Sequence, residues 1–153
     1  MKNIYIIDTC SLISASKHYT IGKKSFQHIW NKFDELIESG LLLSTSEVKE
    51  EVKDKDLSDW IDKHKRFYIP LNKEIQEKVK IILNDFPLLI KIRSTSNSNA
   101  DPFIVATAME YNAIVITDEI KSGSSADPHI PNACEKYKIK YMKLVDFINS
   151  IFD

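Results

Sequence analysis

The chain has 153 residues, 43% hydrophobic and 28% charged, with 21 Lys and Arg against 22 Asp and Glu. That length predicts one domain over 1–153, able to hide roughly 70% of its unfolded surface, and the composition excludes a disordered chain. A net charge of −1 excludes bulk attraction to nucleic acid, and only three glycines, Gly22, Gly40 and Gly123, exclude a glycine-rich phosphate loop.

Residues 4–7 (IYII) are a continuous apolar run that stops at Asp8, the pattern of a strand buried on both faces. Further strands are predicted at 41–43, 67–69, 113–117 and 139–142. Between them lie helical patterns. In 25–39, Phe26, Ile29, Trp30, Phe33, Leu36 and Ile37 recur at three- and four-residue steps, and Gly40 supplies the stop. Segments 46–55, 57–66, 73–85, 101–112, 131–138 and 145–152 also read as helices, and the polar stretches 93–99 and 121–131 as loops. Strands alternating with helices predict an α/β fold with a parallel sheet covered on both faces. No apolar run approaches the ~18 residues of a membrane span, and the start MKNIYIID lacks the sections of a signal peptide. A cytoplasmic protein without membrane contact is expected. Cys10 and Cys134 are too far apart for a disulfide framework, and Cys10 is expected as a buried, small, apolar side chain.

In parallel sheets, ligands bind outside the carboxyl ends of the strands, so acids at those ends matter most. Asp8 ends the first strand, and Asp118 and Glu119 end the fourth. On a helix over 46–55, Glu51 lies within ~60° of the buried Val48 and Glu50 points about 160° away. Glu47 is expected to close a capping box with Ser44. Asp101 shares a helix face with Ile104, Val105 and Ala108; read alone, Asp101-Pro102 is also an N-cap followed by proline at the first helical position. Acids from distant segments, Asp8, Glu51, Asp101 and Glu119 or Asp118, are thus expected to converge on one end of the sheet. Two carboxylates ~4 Å apart repel by ~4 kcal/mol at an effective dielectric of ~20. Such a set calls for protons or a cation, and oxygen donors select Mg²⁺ or Mn²⁺ over zinc. The chemistry that follows is metal-assisted hydrolysis of a phosphate bond.

The segments IYIIDTCSLI, LLLSTSEVKEEV and ADPFIVATAMEYNAIVITDE, in that order, resemble the PIN-domain ribonucleases, in particular a bacterial toxin-type branch akin to VapC-like toxins. Members show a first-strand aspartate, a Val-x-x-Glu helix, an Asp-x-x-Ile-x-Ala helix and a Thr-x-Asp/Glu strand end. The resemblance spans about residues 3–147. It implies a three-layer α/β/α fold with sheet order 3-2-1-4-5, and metal-site acids at Asp8, Glu51, Asp101 and Glu119, with Asp118 in the intervening position. It also implies Mg²⁺ or Mn²⁺, an RNA substrate, frequent homodimers and a cognate antitoxin. The expected function is a metal-dependent endoribonuclease; the alternative is a non-catalytic PIN-fold module that binds RNA or protein. A phosphoacceptor domain is disfavoured because the third strand ends in Pro70-Leu71, and an Asp-x-Asp phosphatase because Cys10 stands two residues after Asp8.

Thr9, Ser11 and Thr117 lie beside the acids, to bond ligands or simply helix starts and turns. Lys17, His18, Lys23 and Lys24 beside Tyr19, together with Lys91, Arg93 and Lys121, are the candidate RNA-binding charges. His18, His28, His64 and His129 form no spaced set and are expected at the surface. Phe26, Trp30 and Phe33 are core or a dimer surface.

Overall fold

The buried run after Ile4 becomes β1 (Tyr5–Ile7), the middle of a five-stranded, wholly parallel sheet. The computed structural model describes residues 2–90, 92–93, 96–97 and 100–153. β1 pairs on one side with β2 (Leu42–Thr45), which pairs with β3 (Tyr68–Ile69), and on the other with β4 (Ile114–Ile116), which pairs with β5 (Tyr141–Met142). The order is β3-β2-β1-β4-β5, the 3-2-1-4-5 arrangement that the resemblance implies.

The crossovers among β1, β2 and β3 carry α1 (Thr9–His18), α2 (Gln27–Glu38), α3 (Ser46–Lys49) and α4 (Lys55–Asp62). Those leading on to β4 and β5 carry α5 (Lys73–Asp85), α6 (Asp101–Tyr111) and α7 (Ile130–Lys136), and α8 (Leu144–Ile151) closes the chain. Right-handed crossovers place the two groups on opposite faces, giving three layers. On one face the aromatic stripe is core: Trp30 meets Trp60 of α4 at 4.8 Å between ring centroids, and Phe33 stacks on Phe147 of α8 at 5.8 Å. On the other, α6 packs against β1, β2, β4, α5 and α7. Its Ile104, Val105, Ala106, Thr107 and Ala108 are all buried, so it is apolar nearly all round.

The five strands and the helix at 73–85 match the sequence reading. Three elements depart from it. Residues 9–18 are helical although they carry no clear apolar stripe, because Asp8 caps them, accepting from the Ser11 N–H at 2.7 Å. The helix expected over 46–55 stops at Lys49, and a new start at Asp54, which accepts from the Leu57 N–H, begins α4. Of the loop expected at 93–99, Ser96–Asn97 pairs antiparallel with Ile92–Arg93, and residues 94, 95, 98 and 99 lie outside the described ones.

Candidate active site

The strand register builds the first half of the site. Ile7 pairs with Ile116, so Asp8 and Thr117 leave the carboxyl ends of β1 and β4 side by side, where strand order reverses. The Thr117 hydroxyl donates to Asp8 Oδ2 at 2.6 Å, while Asp8 Oδ1 holds the Ser11 N–H. Glu119 N–H donates in turn to Thr117 Oγ1. Asp8 is 3% exposed. Burial pushes its carboxyl up to about 6; the hydrogen bonds of Thr117 and Ser11 oppose this, and the charge of Glu119 adds to it.

Glu51 arrives from the turn after α3. It looks inward and Glu50 outward, as the helical spacing predicts, although a tight turn closed by Glu51 N–H to Val48 O does the work of a continuing helix. The Thr9 hydroxyl donates to Glu51 Oε1 at 2.7 Å, and the buried Oε2 has no hydrogen-bond partner. Burial raises this carboxyl too; the Thr9 bond opposes the rise, and Asp8 and Glu47 add to it. The capping box expected between Ser44 and Glu47 does not form. Thr45 stands at the N-cap of α3 without a side-chain bond, and the Ser44 hydroxyl instead donates to the Ile7 carbonyl at 2.8 Å, tying β2 to β1.

Asp101 is the first residue of α6, not its N-cap; Ala100 holds that position without a side-chain bond, and Pro102 is second. Asp101 is half-buried beside the buried Ile104, Val105 and Ala108. At the end of β4 the two acids diverge. Exposed Asp118 accepts from the Leu144 N–H at 2.9 Å and so anchors the start of α8. Half-buried Glu119 accepts from the Ile130 N–H at the start of α7 with Oε2, and its charge reaches Asp8.

Cys10 is exposed rather than buried, because it lies in the outer part of the first turn of α1. Its sulfur reports the surrounding field. The thiol is pushed up to about 11, first by desolvation and then by the charges of Asp8, Glu119, Asp101 and Glu51. Those four carboxylates, from four separate segments, therefore act on one point at the carboxyl end of the sheet. Among the described residues, no three His, Cys, Asp or Glu side chains already stand in a geometry that could hold an ion. The donor set still suits a hard divalent cation: every donor atom is oxygen, burial raises the proton affinity of Asp8 and Glu51, and a buried oxygen of Glu51 is unbonded. A cavity of about 360 Å³ lined by Thr117, Glu119, Ile120, Tyr141 and Lys143 opens beside Glu119.

The hydroxyls at Thr9, Ser11 and Thr117 fix acids or strand ends, with Ser11 Oγ accepting from the Asp118 N–H. Of the candidate basic residues, Lys17 and His18 occupy the last turn of α1, one ten-residue helix or ~15 Å along from Asp8. Tyr19 packs its ring on Phe26, and Lys121 pairs with Glu135. The side chains of Lys91 and Arg93 lie outside the described residues. His64 is not at the surface. It is buried between Asp34 (Nε2 to Oδ1, 2.8 Å) and Glu38 (Nδ1 to Oε1, 3.3 Å), and Trp60 Nε1 donates to the same Asp34 oxygen. The i, i+4 spacing of Asp34 and Glu38 on one helix was the available signal; their histidine partner is 26 or more residues away.

Among the described residues, no helix is long and apolar enough to cross a membrane. A comparison with curated proteins finds no match. Among solved structures, VapBC2 from Rickettsia felis bound to a DNA fragment from their promoter is similar to the chain at 14% identity and a TM-score of 0.47. That likeness covers 92% of this chain and 98% of the other. The family described as a domain of unknown function, DUF4411, matches residues 5–151, and the chain belongs to it.

Proposed function

We propose that the chain is a metal-dependent endoribonuclease that uses Mg²⁺ or Mn²⁺ to hydrolyse RNA phosphodiester bonds, and that it acts in the cytoplasm as the toxin of a toxin–antitoxin pair. The observation that carries the reading is the joint action of Asp8, Glu51, Asp101 and Glu119 on one point, with one buried Glu51 oxygen unbonded. The resemblance to PIN-domain ribonucleases supports the substrate and supplies the antitoxin and the homodimer; the geometry supports the chemistry.

In this reading Asp8, Glu51, Asp101 and Glu119 hold the cation, and Asp118 serves α8 instead. Bound there, a divalent ion supplies positive charge to the phosphodiester and to the attacking water. The chain's own work is placement. Ser11 and Thr117 hold both oxygens of Asp8, each of which retains a second lone pair for an ion. Thr9 turns Glu51 so that Oε2 is the oxygen left over.

The test is cleavage of a single-stranded RNA with Mg²⁺, with Mn²⁺ and with chelator. Cleavage should need the ion and fall at least ~100-fold in Asp8→Asn and in Asp101→Asn, with circular dichroism showing both folded. Full activity in both variants, or cleavage in chelator, overturns the proposal. Tight RNA binding without turnover in any metal would instead identify a non-catalytic binding module.

A further inference from the structure

We infer that the cavity beside Glu119 seats a nucleobase next to the scissile phosphate, with Tyr141 as its stacking platform and Lys143 as the partner of the adjoining phosphate. The inference rests on the ribonuclease reading above and deepens it by assigning where the RNA strand lies. Strand register brings the two residues to the acids. Asp8 N–H donates to the Ile116 carbonyl and Thr117 N–H to the Met142 carbonyl, so both ladders run on past the strand ends. Asp8, Thr117 and Lys143 therefore share one rung and one face of the sheet. Tyr141, two residues before Lys143, lies on that face as well. Two strand spacings, ~10 Å, separate the backbones of Asp8 and Lys143.

The cavity joins these groups. It measures about 360 Å³ and is lined by Thr117 and Glu119 from the end of β4 and by Tyr141 and Lys143 from the end of β5. Thr117 is the residue whose hydroxyl binds Asp8, so the cavity and the acidic site share a wall. Tyr141 stands on an edge strand and is 39% exposed, and Ile120, in the loop after β4, is 67% exposed. That loop is braced, because His129 Nδ1 donates to the Ile120 carbonyl at 2.8 Å. Folding thus leaves an aromatic ring and an aliphatic side chain open beside the acids, and any base has a π-face to lay against them. Glu119 and Asp146 also line the cavity and repel a phosphate, so the neutral base enters and the phosphate stays at Lys143. Lys121, at the same cavity, pairs with Glu135, whereas Lys143 has no ion-pair partner among the described residues.

The test is steady-state cleavage of a single-stranded RNA in Mg²⁺. The cleavage position is mapped first, and the RNA is then remade with an abasic ribose at each neighbouring position in turn. On the intact RNA, Tyr141→Ala should raise KM at least ~10-fold, and Tyr141→Phe should restore it, since stacking needs the ring and not the hydroxyl. One abasic position should raise the wild-type KM by a similar factor and cost Tyr141→Ala nothing more. Lys143→Gln should raise KM and lower the slope of log KM against log salt by about 0.7, the share of one phosphate on a single strand. Mn²⁺ affinity by calorimetry should be the same in every variant. RNA cleavage that Tyr141→Ala leaves at the wild-type KM overturns the inference and leaves the nuclease reading standing. So does a loss that Tyr141→Phe fails to restore, that is just as large on every abasic RNA, or that comes with weaker Mn²⁺ binding, because the ring is then structural. A wild-type protein that cleaves no RNA overturns the inference together with the reading beneath it.

Discussion

Two groups of carboxylates sit in this molecule under different terms. On α2, Asp34 and Glu38 face His64, and Asp34 also receives the Trp60 N–H. At the carboxyl end of the sheet, a hydroxyl and a backbone N–H hold Asp8 and a hydroxyl holds Glu51, and burial raises the proton affinity of both, the charge of Asp8 adding to the rise at Glu51. The first group is answered by the fold: its acids are half exposed and meet a ring that can share their charge. The second is buried and incompletely answered. Stability accounts for the first arrangement but not the second, since a buried carboxylate without a countercharge costs free energy. An unanswered demand at a switch point between strands is what a site for an outside cation requires.

The largest expected effect breaks this contrast at Asp8. Its folded value, about 6, lies above the ordinary 3.8, so the folded state binds the proton more tightly than the unfolded chain. Its contribution to stability is therefore full below about 3.8 and is lost as pH rises through about 6. The loss is of the order of 3 kcal/mol for a shift of this size. Asp8→Asn removes the charge yet keeps an acceptor for the Ser11 N–H. It should raise stability at pH 8 in chelator by about 2–3 kcal/mol and give no gain near pH 3.5. Urea unfolding at the two pH values reads this directly. A variant less stable than wild type at pH 8 would mean that the carboxylate is already compensated.

Adding the ion should restore the balance from the other side. Mn²⁺ at 100 times its dissociation constant should stabilise the wild-type protein by about 2.7 kcal/mol. Asp8→Asn should gain far less. Equal thermal shifts in the two proteins would place the ion elsewhere.

At the other group, substitution should cost stability and spare function. His64→Leu removes the ring from Asp34 and Glu38 and should lower stability by about 2 kcal/mol, because hydrogen bonds to charged groups are lost. RNA cleavage should stay within about twofold of wild type, as the variant lies outside the acidic cluster. A comparable loss in cleavage would show that the two groups are coupled.

How far the sequence showed all this depended on whether the relevant physics was local. The strands could be read because IYII and AIVI are short runs, apolar on every residue and rich in β-branched side chains, which suits a strand covered on both sides. Asp8, Glu51 and Asp101 were singled out because the first follows a continuous apolar run and the other two share helical spacing with apolar residues. Helix α1 was missed because its cap, Asp8, was read only as the end of a strand and its apolar residues form no stripe. Cys10 was misplaced because its neighbours in sequence are buried and its position on the turn is not. His64 was missed because its partners come from another helix, and no local pattern carries such a pairing. The same holds for Thr9: nothing within its own segment shows that its hydroxyl serves an acid 42 residues away.

Thr9 also gives the smallest and sharpest test of the contrast. Its hydroxyl opposes the rise in the proton affinity of Glu51, so the bond is strongest when that carboxyl is charged. Thr9→Val keeps the shape and leaves Glu51 with neither oxygen bonded. At pH 8 it should cost about 1 kcal/mol, below the full value of a charged hydrogen bond because Glu51 then takes up a proton more readily. Near pH 3.5, where the carboxyl is neutral folded and unfolded, the difference should shrink. Thr9→Ser, which retains the donor, should recover most of the loss at pH 8. Urea midpoints for the three proteins decide the point. If valine and threonine are equally stable at pH 8, the hydroxyl is not what holds Glu51 in place, and its oxygen is oriented by packing alone.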